Sequence, residues 1–383
     1  MSLGPADSVG AARVLVETLR PRLRIPPESL ADAWRTLRPA PLLGLIQLER
    51  CSLWLYRRIR ALGLEPAIPP ELLSPLRERA AQHAALNLLI DGQALELHRW
   101  LVARRTPHVF LKGIALRASA PNLPYADARS TSDVDVLLPV ERARDAWEAL
   151  QREGFAPIRD PTGNRIVHHL FPLWNANRVS VEIHTTVSPP VDARDMWERT
   201  FANARSVAWQ GEMVPVPCAT DLLWQSVSHA VRDGAPAWFL RYLQDPAIIL
   251  ASGVPIDWDE VERRLGVGTS PERDRAARWL ATAADLAGVP LPGRLASVAP
   301  CALKTLLSWR YWTITHLGNL THGKETLLDV ATRIEAQLPP LNLEGLSLDR
   351  KVRHFVAVMV AQAGYRFWRS SRSFSPDQTP VVR

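Results

Sequence analysis

Cysteine and lysine are scarce in this chain of 383 residues, and no long uncharged apolar run occurs in it. The three cysteines, Cys51, Cys218 and Cys301, are far apart, without a Cys-x-x-Cys pair or a Cys/His spacing suited to zinc. That pattern excludes a disulfide framework and a structural zinc site, and predicts a reducing, cytoplasmic setting. No apolar stretch reaches the roughly 18 residues that a membrane span needs, and the N-terminus lacks a basic segment leading into an apolar one. A soluble, unexported protein with no membrane partner is expected. Neither GxxxxGK[ST] nor GxGxxG occurs, which excludes the two commonest glycine-rich phosphate loops.

What is present is an ordinary globular composition, 47% hydrophobic and 22% charged, long enough for two or three packed units without staples. The formal charge of +7 is spread along the chain, and only the tail around Arg366, Arg369 and Arg372 is locally basic. Nucleic acid is therefore permitted as a partner but not favoured. Only four of the 46 basic residues are lysines, at 112, 304, 324 and 351. Arginine has taken over wherever a broad guanidinium serves, so a surviving lysine marks a place where a compact ammonium matters. Lys112 stands out on that ground.

Residues 1–105 read as helical. The stripe Leu42, Leu45, Ile46, Leu53, Trp54 and Ile59 stops at Gly63, and a second pattern runs from about Ser74 to Arg105 as one long helix or two stacked ones. The texture changes at Thr106-Pro107. Residues 108–111 and 134–138 are short apolar β-type runs, 141–153 is an amphipathic helix closed by Gly154, and Asn175-Ala176-Asn177 marks a turn before an alternating run at 178–186. From Ala219 onward the pattern is helical again, through Trp238 and Leu250 and on to residue 383. The expected fold class is α+β (mixed α/β): a core over 106–217 with a mixed sheet, an N-terminal helical region over 1–105 and a C-terminal helical region over 218–383.

Three features carry chemistry. In Ser132-Asp133-Val134-Asp135-Val136 two carboxylates open an apolar strand, and strand alternation puts both on one face. Converging carboxylates need a neutralising cation, and hard oxygen ligands suit Mg²⁺ or Mn²⁺. The second Asp-x-Asp pair, Asp257-Trp258-Asp259, precedes a helical pattern, so Asp257 reads as an N-cap with Glu260 closing a capping box. In Ser180-Val181-Glu182-Ile183-His184, Glu182 and His184 share a face; if this strand neighbours the one at 133, Glu182 completes a three-carboxylate site able to hold two divalent ions. Finally, Leu111-Lys112-Gly113 places the rare lysine at a strand end, beside a residue that allows close approach of a ligand to the backbone. His168 and His169 have no carboxylate at ligand spacing and read as ordinary strand residues.

In that order the features resemble the DNA polymerase beta-like nucleotidyltransferase superfamily. Leu111-Lys112-Gly113, Tyr125, Arg129-Ser130-Thr131-Ser132-Asp133-Val134-Asp135, Gly154-Phe155, His168 and Val181-Glu182-Ile183-His184 are similar, more narrowly, to the bacterial uncharacterised nucleotidyltransferase family, which is sometimes encoded beside peptide-biosynthesis genes. The resemblance implies that Asp133, Asp135 and Glu182 ligate catalytic Mg²⁺ or Mn²⁺ and that Lys112, Gly113, Arg129, Ser132 and His184 face the nucleotide. It implies a nucleoside triphosphate substrate, ATP first among them, and a small-molecule or peptide acceptor. His229, Trp238, Arg241 and Asp245, in the helices after the core, match more loosely and are candidates for an acceptor pocket or an interior ion pair. The superfamily's usual serine after the glycine is here Ile114. A non-catalytic nucleotide-binding adaptor and an RNA-modifying nucleotidyltransferase are the alternatives.

Overall fold

The fold comes from a computed structural model that describes residues 5–119, 125–157, 169–187, 192–232, 239–267, 269–301 and most of 303–311. His168, Trp238, the helical reading beyond 311 and the basic tail lie outside the described residues.

Four helices come first: α1 (Pro5–Leu19), α2 (Pro27–Arg35), α3 (Pro39–Leu48) and α4 (Ser52–Ala61). They surround the fully buried Trp34 and Trp54, so these tryptophans are core residues. Helix α5 (Pro70–Ala103) is a single 34-residue helix that starts earlier than the pattern suggests and continues through Pro75. At 1.5 Å per residue it spans about 50 Å. Its buried side also carries polar groups, each with a partner: Asn87 with the backbone of Arg129 and Thr131, Asp91 with Arg117, Gln93 with Asn175 and His98 with His108.

A five-stranded mixed sheet follows, in the order β1 (Val109–Phe110), β2 (Asp133–Leu137), β5 (Ser180–His184), β4 (Leu173–Trp174) and β3 (Ala156–Pro157). Strands β2 and β5 are parallel, with Asp135 opposite Glu182 and Asp133 opposite Ser180; the other pairs are antiparallel. A parallel pair needs a crossover, which contains helix α7 (Val140–Arg152). The short helix α6 (Lys112–Ala118) leaves the end of β1, and α8 (Ala193–Ala202) leads to the hairpin β6 (Arg205–Trp209) and β7 (Glu212–Val216). Helices α9 (Ala219–Arg232), α10 (Phe239–Ala251), α11 (Trp258–Val267) and α12 (Ser270–Ala287) follow.

One apolar cluster runs from Ala11 to Tyr311 through the N-terminal helices, the sheet and the C-terminal helices. Asp257 caps α11 by accepting from the Glu260 amide at 3.0 Å. The expected capping box does not close: the Asp257 amide donates to Thr220 Oγ1, and Glu260 turns to Arg263 and Arg264. No helix among the described residues is long and apolar enough to cross a membrane.

Candidate active site

The parallel register of β2 and β5 decides the geometry. Val134, Val136, Val181 and Ile183 are buried in the core on one face of the sheet. The alternate residues Asp133, Asp135, Glu182 and His184 therefore fall together on the other face. Ligand atoms of Asp135, Glu182 and His184 lie within 4.8 Å of one another, a grouping that can hold a metal ion.

Within this group, the Lys112 ammonium lies 2.6 Å from Asp135 Oδ1 and 3.7 Å from Glu182 Oε2. Lys112 adopts a left-handed backbone conformation, φ 45°, which costs a residue with a Cβ about 1–2 kcal/mol and here aims the stem back over the strand ends. Burial alone would depress its pKa, but the charges of Asp135, Glu182 and Asp133 hold it above the ordinary lysine value. Burial works to raise Asp135; the Lys112 ammonium and the His184 hydrogen bond overcome it and keep this carboxylate well below the usual range. His184 Nε2 is 2.7 Å from Asp135 Oδ1 and 3.5 Å from Glu182 Oε2. It is fully buried beneath the carboxylates and does not line the cavity described below. Its pKa is raised, the carboxylate bonds outweighing burial and the nearby ammonium.

Asp133 is different. Its carboxylate makes no hydrogen bond or ion pair among the described residues, and burial together with the charge of Asp135 pushes its pKa up to about 6. One lysine thus neutralises only part of a three-carboxylate cluster. That deficit, and the all-oxygen donor set of Asp133, Asp135 and Glu182, fit a hard divalent cation.

A cavity of about 340 Å³ opens in front of the cluster. Lys112, Ser132, Asp133, Glu182 and His169 line it, together with Arg129, Arg241 and Asp245. The segment before β2 is fixed from two directions. On α5, Asn87 donates to the Arg129 carbonyl at 2.9 Å and accepts from the Thr131 amide at 3.0 Å. On α10, Gln244 donates to the Ala128 carbonyl at 3.1 Å, and Asp245 binds Arg129 Nε through both carboxylate oxygens at 2.9 and 3.0 Å. Arg129 and Asp245 are thus an interior ion pair at the cavity wall. Burial would depress the guanidinium, but Asp245 holds its pKa above the ordinary value.

The structure revises the reading of Gly113. Close approach to this glycine is real, but its own chain makes it: a Cβ here would collide with Arg129 Nη1 and come within 2.7 Å of Thr131. Ile114 is fully buried, so the position of the superfamily's serine is here a packing position. Tyr125 is held by Arg58, which donates to its hydroxyl at 2.6 Å.

His169 is the clearest correction. Its Nε2 lies 3.8 Å from Glu182 Oε2, its ring is 5.1 Å from that of His184, and it lines the cavity. Sequence distance hid this, because the carboxylate near it comes from the neighbouring strand. Arg50, Gln225, Ser226 and Tyr242 also line the cavity and were not anticipated. A signal existed for part of this set: Leu222, Gln225, Ser226 and His229 are spaced i, i+3, i+4, i+7, one stripe of α9. His229 packs against Tyr242 with ring centroids 5.4 Å apart. Trp224 packs against the core and does not line the cavity.

The family model described as uncharacterised nucleotidyltransferase matches residues 37–270, which include every residue of the cavity. No curated protein matches the chain.

Proposed function

Because the chain belongs to the uncharacterised nucleotidyltransferase family, we propose that this cavity moves a nucleoside monophosphate from a nucleoside triphosphate to an acceptor oxygen, releasing pyrophosphate. The acceptor is a hydroxyl or phosphate of a small molecule or peptide. The observation that carries the reading is the set Asp133, Asp135 and Glu182, gathered on one face of two parallel strands at a cavity with cations on its walls.

Asp133, Asp135 and Glu182 would hold Mg²⁺ or Mn²⁺, which when bound supplies charge stabilisation to the attacking and leaving oxygens of phosphoryl transfer. In the transfer the acceptor oxygen bonds to the α-phosphorus, the bond from that phosphorus to the bridging oxygen breaks, and pyrophosphate leaves. With a hydroxyl acceptor, its proton passes to the Glu182 carboxylate, which lines the cavity and has His184 and His169 nearby to orient it. His184, buried beneath the strand ends, orients Asp135. At rest Lys112 pairs with Asp135 and Glu182. Lys112 also lines the cavity, where the ammonium on its flexible stem would be within reach of a triphosphate.

The test is the melting temperature with each of four nucleoside triphosphates, with and without Mg²⁺, for the wild type and Asp135→Ala. A ligand that binds only the folded chain must raise it. The expected result is a rise that requires both Mg²⁺ and a triphosphate and is lost in Asp135→Ala. An equal rise in the variant would refute the assignment of the carboxylates.

A further inference from the structure

Among the described residues, two polar atoms at the cavity are buried without a hydrogen-bond partner: Arg241 Nη1 on α10 and Gln225 Oε1 on α9. An unpaired donor on a charged group is costly to bury, and the cost is removed when a ligand supplies the missing acceptor. Arg241 also sits beside Arg129. Burial and that neighbouring charge lower its pKa to about 10, leaving it cationic at neutral pH.

The other cations differ from it. Arg129 is bound to Asp245, and Lys112 to Asp135 and Glu182. Arg241 makes no ion pair among the described residues, and Arg50 adds a further positive charge to the same cavity. The turn expected to receive phosphate is filled by Arg129 and Thr131 packed on Gly113. An anion entering the cavity thus finds its unsatisfied donor on the α10 wall.

We propose that Arg241, supported by Arg50, is a phosphate subsite that takes the terminal phosphates of the donor nucleotide. The phosphate chemistry follows from a fork-shaped donor with a buried N–H that no described residue accepts, at a cavity that Arg50 also lines. Assignment to the donor nucleotide rests on the nucleotidyl-transfer reading; the anion site itself does not. Gln225, the second orphan, is left for a group that can donate to it, such as a hydroxyl.

The probe is inorganic tripolyphosphate, titrated calorimetrically into the full chain with a chelator present so that no divalent ion contributes. Wild type should bind it. Arg241→Ala and Arg241→Gln, each first checked for an unchanged melting transition, should weaken binding at least tenfold, and Arg241→Lys should recover part of the loss. Asp133→Asn, which removes a negative charge from the cavity, should bind as tightly as wild type or tighter. Equal binding by wild type and the folded Arg241 variants, or no metal-free binding by wild type, would overturn the subsite. Competition decides the source of the phosphate: tripolyphosphate should displace metal-free ATP, whereas simultaneous binding would overturn assignment to the donor. If Arg241-dependent binding persists while no nucleotide shows a Mg²⁺-dependent effect, the transfer reading fails and the subsite stands; the reverse pattern sinks the subsite alone.

Discussion

Replacing Asp133 by asparagine should stabilise the protein while removing its response to Mg²⁺. In the folded chain this carboxylate titrates near 6 instead of 3.8, because burial and the charge of Asp135 disfavour its ionised form. Between about pH 4 and pH 6 the folded state therefore binds its proton more tightly than the unfolded state does, so stability from this group falls as pH rises through that window. At about 1.4 kcal/mol per pH unit the loss has a ceiling of about 3 kcal/mol. The side chain is partly open to the cavity, and solvent screening brings the expected value to about 1–2 kcal/mol. Asparagine keeps the shape and does not titrate. In a chelating buffer at pH 7.5, Asp133→Asn should melt a few degrees above wild type, since about 1 kcal/mol shifts a chain of this size by about 2 °C. At pH 4 the gain should vanish, both side chains being neutral. Addition of Mg²⁺ should raise the wild type alone and narrow the gap. Differential scanning calorimetry at the two pH values measures all of this. A variant less stable than wild type at pH 7.5, or a gain of equal size at pH 4, would refute the account of a cluster short of positive charge.

Two further substitutions probe the scaffold. Asp245→Asn leaves the Arg129 guanidinium buried without its counter-charge, and chemical denaturation should register a loss of about 3 kcal/mol; an unchanged midpoint would mean that the pair does not hold the segment before β2. His108 is buried against His98, with 2.9 Å between ring nitrogens, and burial lowers its pKa to about 4. A lowered histidine gives its full stability above the unfolded value near 6.5 and loses it as pH falls toward 4, here by up to about 3 kcal/mol. His108→Gln should flatten that part of the acid stability profile, and an unaltered profile would exclude His108 as its source.

The carboxylate face was legible in the sequence because it follows from a period of two. Asp133, Asp135, Glu182 and His184 alternate with β-branched residues that bury on the opposite side, and the register of β2 with β5 then brings them together. The α+β class followed from the change of texture at Thr106 and the return to helix at Ala219. His169 was missed because its relation to Glu182 exists only across strands. Gly113 was recognised as a place of close approach, but the group that approaches it comes from the loop before β2, and no local pattern specifies where a 129–131 side chain folds back. Arg241 and Asp245 were picked out together, although one is paired and the other is not. That difference depends on which of two arginines reaches the carboxylate, a question of packing rather than of spacing.

The same packing explains why the helices flanking the sheet cannot be treated as appendages to the site. Asp133 begins β2 directly after a segment whose carbonyls and amide are bound by Asn87 from α5 and by Gln244 from α10. Asp245 adds the charged clamp on Arg129, and Arg129 in turn covers Gly113 at the base of the Lys112 turn. Each link is a hydrogen bond or contact between elements far apart in sequence, so the position of the two aspartates is set jointly by the N-terminal and C-terminal helices. A chain cut down to the sheet and its crossover would keep the residues Asp133, Asp135 and Glu182 but lose the groups that fix the strand carrying the first two. The site is therefore a property of the assembled fold, and Asp135 and Asp133 acquire their opposed proton affinities, low and high, only within it.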